Sequence, residues 1–292
     1  METNAARSRL LLSVVIFGTI GIFRRYLPVP SGFLAMGRGL IGALFLTLYL
    51  RLRHIRTDWA LLRANAARLL LSGAAIGFNW ILLFEAYRYT SVASATLCYY
   101  MAPVFVLLAS PFLLHESLTV RKLLCVAGAL GGMVLVSGVL GVGDAAPRDL
   151  RGILFGLGAA ALYACVILLN KTLGPVGVFE RTVAQLFTAG VVLLPYVLLT
   201  ESVMDISFTP LVLFLFFFVG VVHTGIAYAL YFGSMRALRA QSVALVSYLD
   251  PVVAVLLSAL LLHESMDLSS ALGAVLILLS AAVSELPEKT AP

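Results

Sequence analysis

Two ionisable side chains, Arg38 and Asp250, stand inside long apolar runs of this 292-residue chain. The residues that could share a site with them are aromatic or amide: Asn79, Trp80, Tyr99, Tyr100, Tyr163, Tyr228 and Tyr248, with His223 as a further hydrogen-bonding group. Such a set holds a ligand rather than breaks a bond. A carboxylate can contact a substrate amine or carry a proton. A guanidinium can grip a carboxylate with two parallel N–H groups. Aromatic faces take stacked rings or cations. Asp250 is the costliest of these residues. In a helix over 240–262 it lies more than about 12 Å from either end. A carboxylate at that depth in a bilayer costs roughly 2.5–3.5 kcal/mol unless it is paired or hydrated. Two readings stand side by side for it: a substrate or proton contact, and a structural hydrogen bond or ion pair with a neighbouring helix. Arg38 offers a similar choice between an interior counter-ion and a side chain that snorkels to an interface, with the structural role favoured.

Motifs of covalent chemistry are missing. His115-Glu116 and His263-Glu264 lack the second His of a zinc protease, because Thr119 and Asp267 stand there. Gly37-Arg38-Gly39-Leu40-Ile41-Gly42 spells a dinucleotide fingerprint, but it lies in an apolar helix with no strand before it. No Gly-x-Ser-x-Gly elbow and no phosphate-cradling Gly-Lys-Ser/Thr loop is present. Cys98, Cys125 and Cys165 all fall in apolar runs, which argues against a disulfide framework or a metal cluster. The expectation is no enzyme, no cofactor and no metal.

The elements that must position these residues are membrane helices. The chain is 61% hydrophobic and 12% charged, with mean hydropathy +1.04. Soluble domains carry about 25% charge, so lipid must be the solvent for much of this surface. The net charge of +6 sits between apolar runs, which reads as a topology signal and not as a nucleic-acid footprint. Ten stretches approach the roughly 20 residues needed to cross a bilayer: 10–27, 31–50, 66–87, 91–114, 120–140, 150–171, 177–199, 208–232, 240–262 and 268–285. The first follows Arg7 and Arg9 like a signal peptide, but Arg24-Arg25 comes after it instead of a cleavage site. With the N-terminus inside, inside loops carry 14 Lys and Arg against 5 outside, which predicts an inner-membrane protein with both termini cytoplasmic.

Landmarks recur at a fixed shift of 148 residues. Tyr100 returns as Tyr248, Pro103 as Pro251, His115-Glu116-Ser117 as His263-Glu264-Ser265, and Trp80 keeps step with Tyr228. The chain therefore divides into repeats 1–147 and 148–292, each of five helices. Five is odd, so the second copy enters the membrane from the opposite side. The fold class predicted is an all-α polytopic membrane protein of ten transmembrane helices in two inverted five-helix repeats. Inverted repeats suit a carrier that alternates access around a midplane site. Pro103 and Pro251 interrupt the fourth and ninth helices, as helix kinks that point to a central cavity. Gly73/Gly77, Gly128/Gly132 and Gly152/Gly156 mark seams where helices approach closely.

The residues Asn79-Trp80, Ala86, Thr90-Ser91-Val92-Ala93-Ser94-Ala95, Tyr100, Pro103-Val104 and His115-Glu116, echoed by Tyr228, Ser242, Tyr248, Pro251-Val252 and His263-Glu264, resemble the EamA family of the drug/metabolite transporter superfamily. The resemblance implies ten helices, cytoplasmic ends and export of small metabolites, most like bacterial exporters of aromatic and other amino acids. The second half departs from the pattern at Asp250, opposite Ala102, and has Ala227-Tyr228 where the first has Asn79-Trp80. The function expected is export of an amino acid or related small metabolite by uniport. Proton-coupled antiport of drugs or other metabolites is the alternative, and a channel or membrane-embedded enzyme the rival class. The partners expected are a small-molecule substrate and membrane lipid, with protons left open and no nucleic acid.

Overall fold

The computed structural model describes residues 2–90, 92–136, 150–202, 206–261, 268–284 and 286. The described residues form helices and short connections. These are α1 (Glu2–Arg25), α2 (Ser31–Leu52), α3 (Trp59–Ala64), α4 (Ala66–Tyr89), α5 (Val92–Tyr99), α6 (Ala102–Leu113), α7 (Val120–Val136), α8 (Leu150–Thr172) and α9 (Val178–Thr200). Then come α10 (Pro210–Phe218), a π-helical segment (Val219–Ile226), α11 (Ala227–Ser234), α12 (Ala240–Val246), α13 (Leu249–Leu261) and α14 (Leu268–Ser284).

Eight stretches are long and apolar enough to cross a membrane. They correspond to the first four expected spans and to the sixth through ninth. The fifth and tenth expected spans appear as α7 and α14, each 17 residues long within the described part, short of a full crossing by length. The first helix starts earlier than the hydropathy suggests, at Glu2 rather than residue 10. The polar stretch 51–68 contains α3, which opens with the Asp58 carboxylate accepting from Leu61 N at 2.9 Å.

Element boundaries repeat with the sequence. Shifted by 148 residues, α5 begins where α12 begins, α6 ends where α13 ends, and α7 coincides with α14 at both ends. Packing follows the same rule. Counterparts lie against each other in α2–α9 and α7–α14. The pair α4–α8 has its image in α11–α1, and α4–α9 in the π segment against α2.

Three glycine seams are used as the spacing predicted. A Cβ on Gly73 or Gly77 would stand 2.8 Å from Gln185 O or 3.0 Å from Ala189 O on α9. Gly152 and Gly156 sit equally close to the end of α4 and to α5. Gly132 and Gly273 each face the other's carbonyl, at 2.7 and 2.6 Å from a built Cβ, so α7 and α14 meet backbone to backbone. Outside these seams the surface is apolar: Phe112 is 82% and Leu199 84% exposed. That belt is stable only against lipid tails.

Polar groups inside the bundle are tied together. Gln185 Nε2 donates to Ser72 Oγ at 2.7 Å and to Asn170 Oδ1 at 3.2 Å, and so joins α4, α8 and α9. Such interhelical bonds contribute about 0.6 kcal/mol each. Two of the basic residues counted as loop charges are structural instead. Lys171 Nζ donates to Met235 O (3.0 Å) and Leu238 O (2.7 Å). Arg181, 1% exposed, donates from Nη2 to Phe232 O at 2.7 Å. Each supplies cation and donors to carbonyls near a helix end.

Carboxylates clasp two helix N-termini at opposite ends of the bundle. Glu201, after α9, accepts from Gly32 N at 2.8 Å and Phe33 N at 2.7 Å at the start of α2. Glu116, beyond α6, accepts from Ala240 N at 2.7 Å and Gln241 N at 3.2 Å at the start of α12. Around the second clasp, Lys122 Nζ donates to Gln241 Oε1, and Gln241 Nε2 donates to Ser110 Oγ at 2.6 Å. His115 turns the chain, with φ 55°, and Glu116 caps a distant helix rather than its own. The repeated His263-Glu264 lies outside the described residues.

Candidate functional site

The fourth and ninth membrane stretches are broken in their middles, and the breaks place the site. α5 stops at Tyr99 and α6 restarts at Ala102; α12 stops at Val246 and α13 restarts at Leu249. Pro103 and Pro251 were expected to kink these helices from within. The breaks fall just ahead of them, and each proline sits in the first turn of the restarted helix. There a missing N–H costs nothing, because first-turn donors have no partner in their own helix. The sequence foresaw the interruption and misplaced it by a few residues. Two half-helices thereby begin in mid-bundle, with their positive ends turned inward.

Asp250 occupies the first turn of α13, where a helix N-terminus favours a carboxylate. Tyr248 Oη donates to Tyr100 O at 2.9 Å, and the two rings stack with centroids 6.1 Å apart. Tyr100 meets Tyr99 edge-on at 5.9 Å, and Tyr99 meets Tyr163 at 5.7 Å. From Tyr163 a directed chain runs on. Its hydroxyl donates to Tyr231 Oη at 2.9 Å, Tyr231 to Ser247 Oγ at 2.9 Å, and Ser247 to Val243 O at 2.9 Å. Ser247 uses its only proton on the carbonyl, which fixes the direction of the rest.

Arg38 lies on the far side of this string. Its guanidinium carbon stands 4.6 Å over the Trp80 ring, a cation–π contact. Trp80 meets Tyr228 edge-on at 6.3 Å, and Phe17 packs on Tyr228 at 5.2 Å and on Tyr231 at 5.9 Å. Trp80–Tyr228 and Tyr100–Tyr248 are pairs related by the 148-residue shift, and each pair meets in space. The Arg38 Nε is buried and has no hydrogen-bond partner.

Arg38, Tyr99, Tyr100, Tyr163, Tyr228 and Asp250 are half-buried, and the ring contacts above join the aromatic ones into one cluster. Five cavities lie elsewhere, at one end of the bundle and on its flanks.

Three sequence candidates are committed to packing and hydrogen bonds within the bundle. Asn79, 2% exposed, donates from Nδ2 to Ala159 O at 2.5 Å and locks α4 to α8. Tyr248 is fully buried in the wall, and its hydroxyl is committed to Tyr100 O. His223 lies in the π-helical segment between Phe23 and Phe218. Thr19 gives its hydroxyl proton to Ile16 O at 2.7 Å, so it accepts from His223 Nε2, also at 2.7 Å. That contact assigns the proton to Nε2 and leaves Nδ1 as a buried, unpartnered acceptor. Tyr231 and Ser247 form, with Tyr163, a hydrogen-bonded relay inside the second half that had no signal in the sequence. Among the described residues no group of three His, Cys, Asp or Glu could hold a metal.

The EamA-like transporter family matches residues 8–138 and again 150–285. The chain belongs to this family. It is 31% identical over 278 residues to the uncharacterized transporter YxxF of Bacillus subtilis (strain 168), covering 94% of this chain and 88% of that one. It is 28% identical over 266 residues to protein PecM of Dickeya dadantii (strain 3937), covering 89% and 84%. A solved crystal structure superposes with TM-score 0.84 at 19% identity over 97% of both chains, a likeness of fold. This EamA-family chain is a multi-pass membrane protein, and its family and the Bacillus relative are named as transporters.

Proposed function

We propose that this EamA-family protein exports amino acids, aromatic and other, or closely related small metabolites. It does so by alternating access around the space between Arg38 and Asp250. One observation carries the reading: a half-buried guanidinium over Trp80 and a half-buried carboxylate in the first turn of α13, two residues after Tyr248, flank one connected run of aromatic rings. A zwitterion satisfies both at once, with its carboxylate on Arg38 and its ammonium on Asp250 and the aromatic faces. An aromatic side chain stacks on Tyr99, Tyr163 or Tyr228. Specificity then comes from the shape of the space and its few polar groups.

The transport cycle rests on the duplication. Two halves of five helices each, 1–147 and 148–292, cross the bilayer in opposite senses, with both termini cytoplasmic in the inner membrane. Exchange of packing partners between counterpart helices supports a swap of the two halves' conformations. With one acid in the lining, flow is downhill uniport. A second reading, proton-coupled exchange, is favoured only by Asp250 itself, an acid whose charge a proton could cancel.

Paired variants in proteoliposomes test the assignment. Hydrogen bonds to a charged group contribute roughly 1.5–3 kcal/mol, about 10- to 100-fold in affinity. Arg38→Gln should therefore reduce uptake of amino acids by that factor and spare amines that lack a carboxylate. Asp250→Asn should do the converse. Wild-type uptake of amino acids by both variants would remove the two residues from substrate binding.

A further inference from the structure

Two arginines at the bundle end that carries the N-terminus share one chamber. Arg9 of α1 and Arg236, just past α11, line a cavity of about 750 Å³ with Ala5, Ala6 and Gly233. Arg9 stands immediately ahead of the first apolar stretch and Arg236 just beyond the eighth, so the chamber lies at interfacial depth. Both side chains are exposed, and among the described residues neither makes a hydrogen bond, ion pair or ring contact. Glu180, the acid nearest these walls in sequence, turns its carboxylate back onto Gly177 at the start of α9.

Beyond the chamber the walls turn apolar. Arg9, Val178 and Gly233 also line a second space of about 440 Å³. Its other walls include Phe45 and Tyr49 of α2, Phe179 of α9, and Ile226 and Leu230 of the eighth stretch. Ile226, well inside that stretch, is 36% exposed, so the space opens toward lipid. Tyr49 meets Phe179 at 5.1 Å, in the last turn of α2 and the first of α9, where aromatic rings mark a membrane–water boundary. Arg53 stands over the same Tyr49 ring at 5.8 Å, a third guanidinium at this rim. A cationic chamber thus continues into an apolar groove that runs along the hydrocarbon layer.

We propose that this chamber and groove together bind one anionic phospholipid. The phosphodiester lies between Arg9 and Arg236, and an acyl chain lies along Phe45, Ile226 and Leu230. Charge complementarity selects the head, since each uncommitted guanidinium can give a phosphate two parallel N–H donors. The groove selects a lipid over a free phosphate, which would leave the apolar walls uncovered. The walls supplied by α1 and α2 fall in the first family match and those of α9 and α11 in the second, so the lipid bridges the two matched units. The site is separate from the Arg38–Asp250 space and is independent of which solute is carried.

Native mass spectrometry of the purified full chain tests this. The protein is mixed with equal amounts of phosphatidylglycerol and phosphatidylethanolamine of matched chains. One phosphatidylglycerol should survive delipidation, in preference to phosphatidylethanolamine. Each cation near the membrane surface is worth about fivefold in binding, so Arg9→Gln and Arg236→Gln should each weaken retention about fivefold, and the double variant about 25-fold. Both side chains are exposed, so these variants should fold as the parent does. Arg63→Gln removes an exposed cation of α3, outside the site, and should leave retention unchanged. Leu230→Trp fills the groove with every charge in place and should lower retention. If that variant does not fold, short-chain phosphatidylglycerol, which covers little of the groove, should be retained less than the long-chain lipid. Equal retention of the two headgroups, or wild-type retention in the double variant, would overturn the proposal. An equal loss in Arg63→Gln would show diffuse surface charge and overturn it too. Loss of the lipid to millimolar inorganic phosphate, together with wild-type retention in Leu230→Trp or equal retention of short and long chains, would show a free-anion site and overturn it as well.

Discussion

Replacing Glu116 by Gln isolates the clasp on α12. The carboxylate accepts two backbone N–H groups, from Ala240 at 2.7 Å and Gln241 at 3.2 Å. A hydrogen bond to an ionised group contributes roughly 1.5–3 kcal/mol when buried. Glu116 is only half-buried, so solvent screening reduces this toward about 1 kcal/mol for the shorter bond and less for the longer. The helix end adds little, because α12 has seven residues and a small dipole. Gln keeps one carbonyl acceptor, so the net loss is about 1 kcal/mol. That is roughly fivefold in the ratio of clasped to released forms. Hydrogen–deuterium exchange read on a peptide spanning 239–246 measures it directly. The Ala240 and Gln241 amides should exchange about fivefold faster, while Glu201→Gln, at the opposite end, should speed Gly32 and Phe33 and leave α12 alone. Unchanged exchange at α12 in Glu116→Gln would refute the reasoning, because the clasp would then hold nothing.

Two further outcomes follow from the packing and the topology. Gly132→Val places a side chain where a Cβ already stands 2.7 Å from Gly273 O, so α7 and α14 must separate; purified protein should lose about 1–3 kcal/mol of stability, seen as a lower melting temperature in detergent. Reporter tags on the two termini should be reached from the same face of the membrane, and labelling from opposite faces would contradict the inverted arrangement of halves.

Much of the architecture was legible because lipid imposes a simple grammar. Spans show as unbroken apolar length, seams as glycines four apart, and the duplication as a constant offset. Arg38 and Asp250 stood out because charge at membrane depth is costly and calls for a reason. What stayed hidden depends on neighbours far away in sequence. Glu116 caps a helix 124 residues downstream, and nothing local in His115-Glu116-Ser117 names that target. Asn79 looked like a ligand group, but its use as a lock depends on the nearness of Ala159 O, a feature of tertiary packing. The π-helical segment around His223 has the composition of the α-helix on either side, so hydropathy passes over it. Pro103 and Pro251 marked the broken helices but fell just beyond each break, since proline prefers a first turn to the gap ahead of it.

The central claim is a carrier whose inner lining accepts a zwitterion. Counterflow in proteoliposomes made from the purified chain, with a panel of labelled amino acids and with or without a pH gradient, tests it most directly. The expected result is saturable, stereoselective uptake driven by unlabelled amino acid inside the vesicles, with aromatic amino acids among the preferred substrates and no change when the pH gradient is applied. Uptake of every amino acid at the level of protein-free liposomes would contradict the claim.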